Sequence, residues 1–260
     1  MLVHVCRRWR YIFYLPPHVT FDLRLVCTNR TPVAKKLDLW PALPIVIQAL
    51  DYGGFDDDAI AALKHNECIS EIYIPWLLRS GPYQMRTRKV MQDPYPALTD
   101  LRFLSHVAVP PTLPDSFLGG SAPRLRSLHL LGVDFPALPK PLLSSSAGLV
   151  SLSLWQITPR KDFSAEAMVD CLSSLTNLEK LRFDFTCCRS SPTRGQYSPH
   201  TRTALPALHS LSLKCLIKHL QDFYPRIETP LLKDTTGEVG RSCCHSCTTI
   251  PYVGVGGFDL

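Results

Sequence analysis

The sequence lacks an uninterrupted apolar run. Its longest candidate, LWPALPIVIQAL at 39–50, is broken by Pro41 and Pro44, and nothing approaches the ~18 apolar residues of a membrane-crossing helix. A secretory leader is missing too. Arg7, Arg8 and Arg10 sit near the start, but no apolar stretch with a small-residue cleavage site follows them. These absences predict an intracellular protein, cytoplasmic or nuclear, with no membrane partner. Charge of one sign is scarce: charged residues make up 19 % of the chain, and the net charge of +6 is spread thinly. The densest basic stretch, RSGPYQMRTRK at 79–89, forms no regular stripe, so no nucleic-acid partner is predicted. A disulfide framework is also absent. Most of the ten cysteines, at 6, 27, 68, 171, 187, 188, 215, 243, 244 and 247, show no framework spacing. They read as small apolar residues in a reducing compartment.

Catalytic signatures are equally sparse. There is no G-x-S-x-G elbow, no P-loop and no H-E-x-x-H. The Gly-rich GVGGFDL at 254–260 has no following residues to form a phosphate-binding helix. Asp56, Asp57 and Asp58 precede a helical pattern, where they serve its N-terminal dipole. His65 and Cys68, three apart at a helix end, read as local packing rather than a metal pair. The best metal candidate is SCCHSC at 242–247, with Cys243, Cys244, His245 and Cys247. Four ligands so compressed do not readily surround one tetrahedral ion, and no second pair follows. The sequence therefore predicts no cofactor, no metal and no enzymatic activity.

What the sequence does contain is a repeat. The template apolar-x-x-apolar-x-apolar occurs as ISEIYI, LTDLRF, LRSLHL, LVSLSL, LEKLRF and LHSLSL. These begin at residues 69, 98, 125, 149, 178 and 208, so successive units are 29, 27, 24, 29 and 30 residues long. Units of roughly 20–29 residues with this spacing are leucine-rich repeats. The second and third apolar positions lie two apart, on one face of a short strand, and the first lies where the chain turns into it. The fold class predicted is an α/β leucine-rich-repeat solenoid, with parallel strands on the concave face and helices or irregular turns on the convex face. DDDAIAALKHNE (56–67) and SAEAMVDCLSSLTN (164–177) read as return helices. The segments after 110 and 136 are Pro-rich and read as irregular or 3₁₀ turns.

Strand residues between the inward ones face the concave side. The candidate binding face is Tyr73, Asp100, Arg102, His129, Ser151, Lys180, Arg182 and Ser210, together with Glu71, Ser127, Ser153 and Ser212. It is polar and mixed in charge, and such faces bind proteins.

Upstream, Leu2, Val5, Cys6, Trp9, Ile12 and Phe13 fall on one face of a helix that Pro16 and Pro17 stop. VCRRWR at 5–10 resembles the last helix of an F-box. With CTNRTPV and LDLWPALPIVI, YPALTDLRF at 95–103 and RIETPLL at 226–232, residues 2–235 resemble the large F-box/leucine-rich-repeat family of mushroom-forming fungi. The resemblance implies a substrate receptor of an SCF-type ubiquitin ligase, without catalytic groups of its own. Leu2, Val5, Cys6, Trp9 and Phe13 would contact a Skp-type adaptor, and the repeats would hold an unidentified protein substrate.

The chain departs from that pattern at both ends. The LP-x-E-[LI]-[LI]-x-x-I half of an F-box is absent, and 239–260 carries no repeat. The expected organisation is the C-terminal helix of an incomplete F-box at 1–17, a connecting strand and loop with the start of the solenoid at 18–55, the repeat domain at 56–235, and a disordered Cys/Gly-rich tail at 236–260. The tail reads as another reading frame or a retained intron, which transcript sequencing across codons 230–245 tests. A solenoid without a terminal cap exposes apolar surface, so poor solubility of the isolated chain is expected.

Overall fold

The computed structural model describes residues 23–27, 44–49, 57–76, 86, 89–105, 112–135, 140–156, 158–159, 165–184, 202–215 and 223–239. The N-terminal helix expected at 2–17 and the residues from 240 onward lie outside them. The chain is α/β, and its centre is one parallel sheet of nine strands stacked in sequence order. They are β1 (Leu23–Cys27), β2 (Ile45–Ala49), β3 (Ile69–Trp76), β4 (Asp100–Ser105), β5 (Ser127–Leu131), β6 (Ser151–Trp155), β7 (Lys180–Asp184), β8 (Ser210–Cys215) and β9 (Asp234–Val239). The six templates are β3 to β8. Two strands precede them, and a ninth follows, ending at Val239.

The inward residues stand in one unbroken register. Ile72, Leu101, Leu128, Leu152, Leu181 and Leu211 pair in succession, as do Ile74, Phe103, Leu130, Leu154, Phe183 and Leu213. All twelve are buried. The first template leucine of five units (Leu98, Leu125, Leu149, Leu178, Leu208) is completely buried. Each donates its backbone N–H to a carbonyl three residues back, in a tight turn leading toward the strand.

The backbone repeats a second device. The carbonyl of Thr99 accepts hydrogen bonds from Arg126 N–H and Ser127 N–H at 2.8 and 3.0 Å. The carbonyls of Arg126, Val150, Glu179 and His209 each accept the same pair from the next unit. The last pair comes from Lys233 and Asp234, at 3.0 Å each, so β9 joins the sheet through the same joint as its predecessors. Its inward positions are Thr235, Gly237 and Val239, of which Thr235 and Gly237 are exposed. At those two positions backbone pairing rather than apolar burial holds the strand.

The return segments cover the inward face. Helix α1 (Asp57–Leu63) buries Ala59, Ile60, Ala62 and Leu63, and helix α3 (Ala165–Leu172) buries Met168, Val169, Cys171 and Leu172. After residue 110 the chain forms an irregular tight turn at Phe117–Gly120, with Leu118, Gly119 and Gly120 at positive φ, in keeping with the irregular or 3₁₀ turn expected there. The segment after 136 differs from expectation: Lys140–Ser145 is a short α-helix, α2. Pro141 lies in its first turn, where a missing N–H leaves no intrahelical bond unmade, and Leu142 and Leu143 are buried. The Ser146 hydroxyl, completely buried, shares its one proton between the carbonyls of Leu142 and Ala122, at 2.7 and 3.1 Å, linking α2 to the preceding unit. Tyr95 does the same elsewhere: its buried hydroxyl reaches the carbonyls of Leu63 and Val90, each at 3.3 Å. Burial, with Asp93 nearby, pushes its pKa far above the usual phenol range.

Ser105, at the inward end of β4, is 1 % exposed, and its hydroxyl has no hydrogen-bond partner among the described residues. A buried hydroxyl left unmatched costs about 1–3 kcal/mol. Ser105→Ala is therefore expected to raise the stability by about 1 kcal/mol, read as a higher denaturation midpoint at unchanged slope.

Candidate functional site

The alternation that buries one set of strand residues presents the other on the opposite, open face. Its first row runs Glu71, Asp100, Ser127, Ser151, Lys180, Ser210 and Asp234. Its second row runs Tyr73, Arg102, His129, Ser153, Arg182, Ser212 and Thr236. All eight residues read from sequence as a binding face, Tyr73, Asp100, Arg102, His129, Ser151, Lys180, Arg182 and Ser210, stand in these two rows. Leu2, Val5, Cys6, Trp9 and Phe13 lie outside the described residues.

The charges are grouped. Glu71 and Asp100 are register neighbours on β3 and β4. Arg102 leans back on its own strand and meets Asp100 at 3.4 Å. That pair is exposed and contributes at most about 1 kcal/mol. The side chains of Lys180 and Arg182, both exposed on β7, form no ion pair or hydrogen bond with any described residue. Between β4 and β7 three of the four outward side chains in these rows are short, Ser127 on β5 and Ser151 and Ser153 on β6, and the fourth is the half-buried His129. Ser153 is 6 % exposed although it faces outward, because it lies between His129 and Arg182 in register. The sheet thus carries a polar trough two strands wide, walled by arginines.

His129 sits on the floor of this trough. Its pKa lies below the usual 6.5, first because the ring is partly buried, then because Arg102 and Arg182 repel a second positive charge. Asp100 pulls the other way and is outweighed. The fold therefore prefers neutral His129. A histidine whose pKa is depressed by folding lends stability above its unfolded value, and that contribution is lost as pH falls through the lowered one. Acidification from pH 7.5 to 5 is expected to lower the wild-type melting temperature more than that of His129→Gln, as thermal scans at both pH values measure.

A third outward row escapes the six-residue template, which stops one residue short of it. Leu104, Leu131 and Trp155 are register neighbours at the ends of β4, β5 and β6. Trp155 is 41 % exposed. Continuing the two-residue alternation past the third apolar position reaches all three. The row then turns polar, with Asp184 on β7 in register with Lys214 on β8.

Among the described residues no group of three or more His, Cys, Asp or Glu could hold a metal ion. Cys243, Cys244, His245 and Cys247 lie outside them. No helix among the described residues is long and apolar enough to cross a membrane. Comparison with family models, with curated proteins and with solved structures finds no match to this chain.

Proposed function

We propose that this chain is a non-catalytic leucine-rich-repeat interaction protein, and that it presents the open, concave face of its sheet to a protein partner. The observation that supports this reading is the register of the two polar rows across β3 to β8. Side chains 24 to 30 residues apart in sequence stand side by side on hydrogen-bonded strands, as a preorganised protein-docking surface requires. The partner is a substrate, and the chain acts as the receptor of an SCF-type ubiquitin ligase. That further step rests on the resemblance of residues 2–235 to F-box/leucine-rich-repeat proteins. The test is co-purification with a Skp-type adaptor. Retention that is lost in Trp9→Ala supports the ligase receptor. No retention by a folded chain, beside photo-crosslinking of a partner from position 151, favours a repeat scaffold with no ligase link. No crosslinked partner from position 151, 180 or 210 in the cell overturns the docking face itself.

A further inference from the structure

We propose that the trough between β4 and β7 takes an acidic protein segment carrying an apolar side chain, with Lys180 and Arg182 meeting its carboxylates and Trp155 its apolar group. This rests on the reading of the open face as a protein-docking surface, and adds the chemistry of the partner.

Three observations carry it. The first is charge. On the trough and its walls stand three cations, Arg102, Lys180 and Arg182, against two carboxylates, Asp100 and Asp184, and Asp184 is 6 % exposed at the end of β7. Asp100 is already engaged by Arg102 at 3.4 Å. Lys180 and Arg182 are left without an anionic partner among the described residues, so an incoming carboxylate meets cations whose charge is not already neutralised.

The second is shape. Neighbouring strands lie about 4.8 Å apart, so the backbones of Arg102 and Arg182, three steps apart, are separated by about 14 Å. Serines occupy most of the outward positions between them, and Ser153 sits below its neighbours. After the width of the wall side chains is taken off, that separation leaves room for one extended segment.

The third is the apolar ledge. Leu131 and Trp155 adjoin the trough at the ends of the two strands that form its floor. Trp155 is one of three large apolar side chains that stand exposed among the described residues, and the only one of them beside the trough. An exposed tryptophan next to unpaired cations is the composition of a binding hot spot. Glu71 on β3 ends the cationic patch beside β4, so an anionic run that crosses the whole sheet is opposed, while a short acidic segment seated between β4 and β7 is not.

The experiment uses the full chain and fluorescein-labelled twelve-residue peptides, read by anisotropy at low and at 0.5 M salt. One peptide alternates Glu and Leu, one Glu and Ser, one Lys and Leu; labelled oligo(dT) is the fourth probe. The expected result is saturable binding of the Glu/Leu peptide, at least ten-fold tighter than the other three and weakened several-fold by salt. Arg182→Glu and Trp155→Ser each weaken it five-fold or more. Lys64→Glu, the same charge change at the end of α1 on the other side of the sheet, leaves it unchanged. Equal or tighter binding of oligo(dT) overturns the proposal, as does indifference to Arg182→Glu. Preference for the Lys/Leu peptide that is still lost in Trp155→Ser overturns the acidic partner and leaves the docking face standing. If no peptide binds, the proposal fails, while crosslinking from position 151 judges the docking face separately.

Discussion

Leu128→Asp is expected to abolish the cooperative fold. Leu128 is 1 % exposed and stands in register between Leu101 and Leu152, in the middle of the sheet. The carboxylate would enter a layer made of Ile72, Leu101, Leu152 and Leu181, with no cation among those neighbours. An unpaired buried charge is among the few mechanisms that cost about 5 kcal/mol or more. A domain of this size has about 5–15 kcal/mol in total. The damage also spreads, because each unit buries its apolar face only against the next. The variant should lose its far-ultraviolet signature of ordered structure and its thermal transition. Ser127→Asp, one residue away on the open face, should shift stability by no more than about 0.5 kcal/mol. If both variants melt alike, the inward–outward assignment is wrong.

The second large effect is at the end of the same strand. Gly132 has φ +63°, and a Cβ built there would lie 2.0 Å from the carbonyl oxygen of Ser105. Its N–H donates to the Trp155 carbonyl at 2.9 Å, so the residue is held from both sides. Gly132→Ala adds left-handed strain of about 1–2 kcal/mol. It also forces the backbone of β5 away from β4, since the clashing atom is main chain and cannot rotate aside. The sum should reach at least about 3 kcal/mol. Gln156 is the built-in control: it holds the corresponding position after β6 with φ +51°. A side chain is thus accommodated in that conformation after β6. Gln156→Gly is expected to change stability by less than about 1 kcal/mol. Chemical denaturation of the two variants separates the cost of the conformation from the cost of the contact. A Gly132→Ala midpoint equal to wild type would remove the contact as an explanation.

Both predictions concern β5, and they differ in how readable they were. Leu128 is legible from LRSLHL alone, because a two-residue apolar alternation has one physical meaning in a strand. The demand for glycine at 132 is not legible there. It arises from a carbonyl on the previous strand, 27 residues earlier. The binding face divides the same way. Asp100, Arg102, His129, Lys180 and Arg182 follow from alternation. The grouping of Lys180 and Arg182 across a serine floor from Arg102 follows from register. Trp155 and Leu131 were missed because the template ended at its third apolar residue, although the rule that found their neighbours extends to them. β9 was missed for another reason. DTTGEV has no apolar alternation, and it joins the sheet through backbone bonds from Lys233 and Asp234 to the His209 carbonyl. The helix at Lys140–Ser145 was obscured by a proline that is harmless in a first turn.

The sequence by itself determined the period, the direction of each template side chain and the parallel stacking. Those depend on apolar spacing within six residues and on its recurrence every 24 to 30. Only the tertiary structure decided which outward side chains became neighbours, why Ser153 is buried while Trp155 is not, and where a Cβ does not fit. Each of these is a distance between atoms on different strands, set by cross-strand register, and local pattern carries no term for it.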